Sequence, residues 1–206
     1  MRAIKDDEVG KMLPPSTSSK CSPPRKKEES APRITVKRII KTKGAKMVYV
    51  PRPILKKTAK YLRRYGKQNC EGLLFWSGAQ TASGDIFVTT CIYPSITSCS
   101  PGHASIDAIP GAEVVSETRS QGLIVLAQIH SHPGSAFHSS ADNCNPFVFS
   151  EGFFSIVVPY FGKGGMEPLW KCRVYRYGRD EKWHELGKED IQRTFLVVDQ
   201  EVRLGK

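Results

Sequence analysis

The stretch that decides the fold is LIVLAQIHSHPGSAFHSSADN, residues 123–143. It opens on LIVLAQI, an apolar run with the length of a buried strand, and polar chemistry begins where that run ends, at His130. Side chains of an extended strand alternate between its two faces, so His130 and His132 point the same way. The Pro-Gly pair after His132 turns the chain, which lets Asp142 return towards the two imidazoles. We therefore predict a central strand over 123–129 that brings two histidines and a carboxylate to one place.

These three side chains have the chemistry of a catalytic metal site. Two imidazoles, one carboxylate and an open fourth position for water are typical of catalytic zinc, whereas structural zinc is held by four protein ligands, mostly cysteine. Two histidines and one carboxylate also serve iron, so the residue types leave iron open beside zinc. A bare HxH pair is also compatible with two surface histidines beside a turn. His138 would close the open position as a fourth ligand, so we assign it to loop packing or substrate contact.

Outward from this stretch, predicted strands and helices alternate irregularly. The run GLLFW at 72–76 indicates a buried strand, and Ser83-Gly84-Asp85 turns the chain into the strand IFVTTCIYP, which makes a hairpin. Further strands are predicted at 34–40, 47–50, 153–161 and 172–177, helices at 52–65, 112–120 and 188–198, and a loop at 96–110. Irregular interleaving with hairpins favours an α+β fold of mixed α/β layers.

The net charge of +11 is concentrated at the N-terminal end. Residues 1–70 hold 20 Lys and Arg against 5 Asp and Glu, while residues 71–206 hold 11 against 15. The segment at 13–32, LPPSTSSKCSPPRKKEESAP, has too few apolar side chains to bury a core. We predict a disordered basic tail over 1–33 and one domain over 34–206. A basic arm suits an anionic partner such as nucleic acid, acidic protein or membrane surface, or serves only solubility.

The cysteine spacing and the hydropathy of the sequence indicate the expected cellular compartment of the protein. The six cysteines, at positions 21, 70, 91, 99, 144 and 172, show no CxxC pair and no regular spacing. Neither a zinc knuckle nor a disulfide framework is indicated, and we expect reduced thiols. The sequence has no run of about 18 apolar residues, and Asp6, Asp7 and Glu8 follow Met1 where a signal peptide would have an apolar stretch. We expect a cytoplasmic protein without a membrane span.

The wider pattern resembles the JAB/MPN (JAMM) metallopeptidase family. That family has a Glu before a Gly-rich apolar strand, then HxHP, then SxxD. Here Glu71 precedes GLLFW, HSHP occupies 130–133, and Ser139 stands three residues before Asp142. The match covers roughly Cys70 to Phe161. Nine residues separate His132 from Asp142, one fewer than the commonest family arrangement, so the choice between Ser139 and Ser140 as the SxxD serine stays open.

The resemblance implies a fold, a cofactor and a role for each matching residue. The fold would be an MPN/JAB-like central β-sheet flanked by helices, with one Zn²⁺ per chain. The implied ligands are His130, His132 and Asp142. Glu71 would be the catalytic base that takes the proton of the attacking water and delivers it to the departing amine. Ser139 would donate a hydrogen bond to the oxyanion of the tetrahedral intermediate.

Family members release ubiquitin or ubiquitin-like proteins from lysines, or trim such proteins at their C-termini. The resemblance therefore implies a zinc metallopeptidase acting on amide or isopeptide bonds, with a ubiquitin-like protein or its conjugates as substrate. The phrase AFHSSADN and the compact chain are more similar to the bacterial JAB peptidases associated with ubiquitin-like conjugation than to eukaryotic deubiquitinases. The loop at 96–111 is the segment expected to meet the substrate.

Two alternatives from other classes remain. The first is a catalytically silent MPN scaffold, which would have lost a ligand or the Glu, and here every motif position is filled. The second is a DNA-associated protein of the RadC type, which shares a related HxHP and SxxD pattern. The basic N-terminal 70 residues are the reason to keep that alternative.

Overall fold

The computed structural model describes residues 47–96, 98–105, 114, 116–118, 120–144 and 150–199. Its strands are β1 Val48–Pro51, β2 Leu73–Gln80, β3 Ile86–Ile92, β4 Ser98–Ser100, β5 His103–Ser105, β6 Ile124–Ser131, β7 Phe154–Val158, β8 Arg173–Tyr177, β9 Trp183–Glu185 and β10 Phe195–Val198. Its complete helices are α1 Arg52–Gly66, α2 Ser140–Cys144 and α3 Lys188–Thr194, with short 3₁₀ turns at Pro159–Gly162 and Leu169–Lys171.

Eight of these strands form one mixed sheet in the order β10-β1-β3-β2-β6-β7-β8-β9. The pairs β1/β10, β1/β3 and β6/β7 are parallel, and the remaining neighbours are antiparallel. The strands β4 and β5 pair with each other in a separate two-stranded hairpin. A mixed sheet carrying a few helices confirms the predicted α+β class.

Helix α1 covers the sheet because its apolar residues recur on one face. Ile54, Leu55, Ala59 and Leu62 are all buried, and they pack into the main core with side chains of the central strands. Thr58 is also buried, and its hydroxyl accepts a hydrogen bond from the Trp76 indole of β2 at 2.9 Å. This bond adds a polar link to the apolar packing between the helix and β2. Within the described residues, no helix combines the length and apolar character needed to cross a bilayer.

The pairing of β2 with β6 positions the functional residues. These strands are antiparallel, with Leu73 opposite His130. The pairing continues one step beyond β2, where Ser131 N donates to Gly72 O at 3.2 Å and Gly72 N donates to Ser131 Oγ at 3.1 Å. In that register the next residue, Glu71, faces His132.

Three predicted elements differ from the structure. The strand predicted over 153–161 ends at Val158, and Pro159–Gly162 forms a 3₁₀ turn. The helix predicted over 188–198 ends at Thr194, and Phe195–Val198 instead forms β10, parallel to β1. Three of these last four residues, FLVV, are aromatic or β-branched, so the segment suits a strand when an open sheet edge lies within reach. The loop predicted at 96–110 contains the β4–β5 hairpin.

Other predicted elements are found, or lie outside the described part of the chain. The Ser83-Gly84-Asp85 turn joins β2 to β3 as an antiparallel hairpin. Of the helix predicted at 112–120, the described residues are helical. The predicted tail over 1–33 and the strand over 34–40 fall outside the described residues.

A disulfide corrects the expectation of reduced thiols. Cys70 and Cys99 are bonded, with their Cα atoms 5.4 Å apart, while Cys91 and Cys172 are free. The pair is brought together because Glu71 N donates to Ser100 O at 3.0 Å, which lays the β4–β5 hairpin against the segment before β2. A separation of 29 residues leaves no local spacing pattern that could have indicated this bond.

Candidate metal centre

Two buried histidines mark the end of β6. His130 is the penultimate residue of the strand and His132 follows it by two positions, so alternation sends both imidazoles to the same side. Their ring centroids lie 5.2 Å apart, and both side chains are buried. Ser131 between them points the other way and bonds Gly72. The predicted shared direction of the two imidazoles is present in the structure.

Asp142 completes a group of three candidate ligands. Its Oδ1 lies 3.2 Å from His130 Nε2, and its Oδ2 lies 3.7 Å from His132 Nε2. One ligand atom from each of the three residues lies within 4.8 Å of the other two. Burial raises the pKa of Asp142, but the neighbouring imidazoles and the Ser139 hydroxyl outweigh this and hold that pKa well below its usual range. Asp142 is therefore ionised at neutral pH, as a metal ligand must be.

Ser139 orients this carboxylate through a capping box at the start of α2. Its backbone N–H and its hydroxyl both donate to Asp142 Oδ2, at 2.8 and 2.7 Å, and the Asp142 N–H donates back to Ser139 Oγ at 3.2 Å. The three-residue spacing of SxxD is what such a reciprocal cap requires. Ser139, and not the exposed Ser140, makes these bonds. The oxyanion role of Ser139 stays a prediction.

Glu71 lies beside the three ligand candidates and outside their group. Its side chain is buried, and its Oε1 is 3.9 Å from His132 Nε2. Burial raises the pKa of Glu71 to about 7, with the His132 imidazole opposing the shift and the Asp142 carboxylate adding to it. A carboxyl group with such a pKa exchanges its proton readily near neutral pH.

The donor set fits a metal ion. Glu71 Oε1 and His130 Nε2 are fully buried, and neither has a hydrogen-bond partner within the described part of the chain. A buried polar atom without a partner costs about 1–3 kcal/mol. One cation carrying a water molecule at this point would offer a partner to both atoms. Two nitrogen donors and one carboxylate leave a coordination position open for that water.

The structure adds neighbours of the site that sequence reasoning missed. Phe137 is 54% exposed, and its ring meets His132 edge-on with centroids 4.7 Å apart. An aromatic residue in the loop between ligands is the only sequence signal for it. Of the loop predicted to meet substrate, the described residues 98–105 form the β4–β5 hairpin beside Glu71.

His138 is half-buried, as its assignment to loop packing implies. Its ring stacks on Tyr175 of β8, with centroids 3.9 Å apart. Burial lowers the pKa of the His138 imidazole, more than the neighbouring Asn143 and Asp142 raise it. The ring is therefore neutral at physiological pH, with one nitrogen that donates and one that accepts.

One of the comparisons with known proteins agrees with a metal site. No protein-family model matches the chain. Among solved structures, the solution structure of protein DSY2949 from Desulfitobacterium hafniense has a similar fold, with a TM-score of 0.55 and 18% identity over 75% of this chain and 94% of that one. At that identity the likeness concerns the fold alone. A protein of Sinorhizobium fredii (strain NBRC 101917 / NGR234), described as "Probable metalloprotease y4jG", is 30% identical over 156 residues, which cover 73% of this chain and 94% of that protein. The chain belongs to the same metalloprotease family as y4jG.

Proposed function

We propose that the protein is a zinc-dependent peptidase of the JAB/MPN (JAMM) type that hydrolyses amide or isopeptide bonds. The observation that carries this proposal is the meeting of Glu71 with the His130, His132 and Asp142 group, where two buried polar atoms make no hydrogen bond within the described part of the chain. A site built only to hold a structural ion would be closed by four protein ligands. This one keeps a position open beside a buried carboxyl group.

Zinc is the ion we propose, because two imidazoles and one carboxylate with an open position are a common catalytic zinc set. When bound, the ion would polarise the substrate carbonyl and lower the pKa of a coordinated water towards 7. The residues His130, His132 and Asp142 would hold it. Ser139 keeps the Asp142 carboxylate turned towards the imidazoles.

The remaining chemistry belongs to Glu71. We propose that its carboxylate removes a proton from the attacking water, holds that proton on Oε1, and releases it to the departing amine nitrogen. Its position supports this role, since Oε1 is close to His132 Nε2 and has no competing hydrogen bond within the described residues. A pKa near neutrality suits both the uptake and the release of one proton. We also propose that the Ser139 hydroxyl turns from Asp142 Oδ2 to donate its hydrogen bond to the oxyanion, while the Ser139 backbone N–H continues to hold the carboxylate.

For the substrate we propose a ubiquitin-like protein or its conjugates. The support is the resemblance of the motif to bacterial JAB peptidases, together with two features beside the site. The β4–β5 hairpin is tied to the Glu71 segment by the Cys70–Cys99 disulfide, and Phe137 exposes its ring next to His132. Both offer surface to an extended peptide that reaches the metal. The basic N-terminal region remains a candidate contact for an anionic partner.

The test is metal content combined with hydrolysis of two substrates. The full chain is purified, its metal is measured by elemental analysis, and cleavage of a fluorogenic ubiquitin-like substrate is compared with cleavage of a short fluorogenic peptide. We expect one zinc per chain, loss of cleavage with a chelator, and recovery when zinc is restored. Cleavage of the peptide alone would retain the peptidase and reject the ubiquitin-like substrate. DNA binding by a zinc-loaded protein that cleaves neither would favour the RadC-type alternative.

A further inference from the structure

His138 is the centre of a hydrogen-bonded chain that reaches from the sheet to the ligand loop. Its Nε2 lies 2.9 Å from Ser155 Oγ on β7, and its Nδ1 lies 2.9 Å from Asn143 Oδ1 on α2. Ser155 in turn accepts a hydrogen bond from Gln128 Nε2 on β6 at 3.2 Å. Asn143 is the residue after Asp142. This series of hydrogen bonds therefore links two central strands with the helix that carries a candidate metal ligand.

The donors and acceptors along this chain are consistent. An amide oxygen can only accept, so His138 Nδ1–H donates to Asn143 Oδ1. That leaves His138 Nε2 as the acceptor for the Ser155 hydroxyl, whose oxygen accepts from Gln128. Ser155 is fully buried and Gln128 is 6% exposed, so both groups depend on these partners in place of water.

Packing holds the His138 ring as well. Besides the stacking on Tyr175, the His138 backbone N–H donates to the Tyr175 hydroxyl at 3.1 Å, and Trp183 meets the ring edge-on at 5.2 Å. The His138 and His130 ring centroids are 6.4 Å apart. His138 is thus held on the sheet side of the loop, beside the three ligand candidates and outside their group.

We infer that His138 is a positioning residue that anchors the ligand loop to β7 and so keeps Asp142 preformed for the metal. The inference rests on the metal centre of the proposed function. Asp142 reaches the imidazoles from a five-residue helix, which is too short to hold its own position. Ser139 sets the direction of the carboxylate, and the His138 chain sets where the helix lies. Groups that support metal ligands in this way typically change metal affinity by about 10- to 100-fold.

The experiment separates hydrogen bonding from ring packing with two variants of the full chain. His138→Phe keeps an aromatic ring for Tyr175 and loses both hydrogen bonds, whereas His138→Gln keeps one amide acceptor and one amide donor and loses the ring. The affinity for Zn²⁺ is measured by competition with a chromophoric chelator. We expect His138→Phe to weaken zinc binding by about 10- to 100-fold. We expect His138→Gln to recover most of the loss. Wild-type affinity in His138→Phe, or equal losses in both variants, would overturn the inference.

Ser155→Ala removes the hydrogen bond between Ser155 and His138 from the β7 side and leaves the His138 side chain in place. Ser77→Ala is its matched control, because Ser77 is also a fully buried serine, on β2, with no hydrogen-bond partner in the described residues. We expect Ser155→Ala to weaken zinc binding and Ser77→Ala to leave it unchanged. Combining Ser155→Ala with His138→Phe should weaken zinc binding no more than His138→Phe alone. Fully additive losses of zinc affinity would contradict a single connected series of hydrogen bonds. Because the readout is zinc affinity, an inactive peptidase leaves this test intact.

Discussion

At the scale of a single residue, two opposing effects act on the pKa of Glu71. Burial favours its neutral form and raises its pKa to about 7, whereas a cation held by the neighbouring imidazoles would favour the carboxylate. With no hydrogen bond to its Oε1 within the described residues, the charge state of Glu71 is set by these two effects. The same side chain can therefore gain and lose a proton within one reaction cycle.

Replacing Glu71 by Gln tests this role without changing the shape of the site. Glu71→Gln should retain zinc and thermal stability, because Glu71 stands outside the three-ligand group. Turnover should fall by at least about 10²-fold, the lower end of what general acid–base catalysis supplies. Zinc by elemental analysis and steady-state kinetics measure the two effects. An active variant would rule out the proposed base, and a variant without zinc would place Glu71 among the ligands.

The raised pKa of Glu71 also predicts how the stability of the metal-free protein depends on pH. Between the ordinary value of 4.5 and about 7, the folded state holds a proton that the unfolded state has released, so stability falls as pH rises through this window. The contribution is fully present below pH 4.5 and amounts to about 3 kcal/mol. Because Glu71→Gln cannot titrate at this position, urea unfolding should find wild type and the variant alike at pH 4.5, and wild type less stable than the variant by up to about 3 kcal/mol at pH 8. Glu181→Gln, at an exposed position, is the control and should follow wild type throughout.

At the scale of elements, the site is produced by the register of β2 against β6. The pairing of Leu73 with His130 brings Glu71 to His132 from a position 61 residues earlier in the chain. Both strands could be predicted, because a short continuous apolar run indicates a buried strand. The HxH spacing predicts that the two imidazoles point to the same face of the strand. The capping box explains the SxxD spacing by local geometry. These features depend on residues close together in sequence.

The elements that could not be predicted depend on contacts between distant segments. The residues FLVV of β10 continue a helical pattern in the sequence. They form a strand because they pair in parallel with the edge of β1. The β4–β5 hairpin is three residues on each side, too short for a periodicity signal. The Cys70–Cys99 bond follows from where that hairpin packs. The chain Gln128–Ser155–His138–Asn143 likewise joins four separate positions, whose residue types carry no motif.

The disulfide should control the stability of the β4–β5 hairpin. A two-stranded hairpin is marginal by itself, and a disulfide typically contributes about 2–4 kcal/mol. Reduction, or Cys99→Ser, should therefore expose residues 98–105 to limited proteolysis and lower the melting temperature. The double variant Cys70→Ser with Cys99→Ser is the control, because a dithiol reductant should no longer affect it. If intact-mass analysis finds both thiols free in protein purified without reductant, the bond is absent and this prediction fails.

At the scale of the whole molecule, the candidate centre joins three separate parts of the chain. Glu71 precedes β2, the histidines end β6, and Asp142 lies on α2, so the donor groups meet only in the folded state. Residues 1–33 contribute no motif position. We expect deletion of 1–33 to leave zinc content and thermal stability unchanged, since that segment has too little apolar surface to join a core. A fall of several degrees in melting temperature on deletion would show a structural role.

Because the candidate ligands meet only in the folded state, zinc is also predicted to stabilise the whole domain. An ion that binds only the folded chain adds RT ln(1 + [Zn²⁺]/Kd), about 2.7 kcal/mol at a hundredfold excess over Kd. For a protein of this size that amounts to a rise in melting temperature of about 5–10 °C. Wild type and Glu71→Gln should both show the rise in a thermal melt of chelator-treated protein with zinc added back, because both keep the three ligands. Asp142→Asn should show none, since a neutral amide is a poor zinc ligand and replaces the charge between His130 and His132. An equal rise in Asp142→Asn would mean that zinc stabilises the fold from another site, and Asp142 would then lose its place in the metal centre.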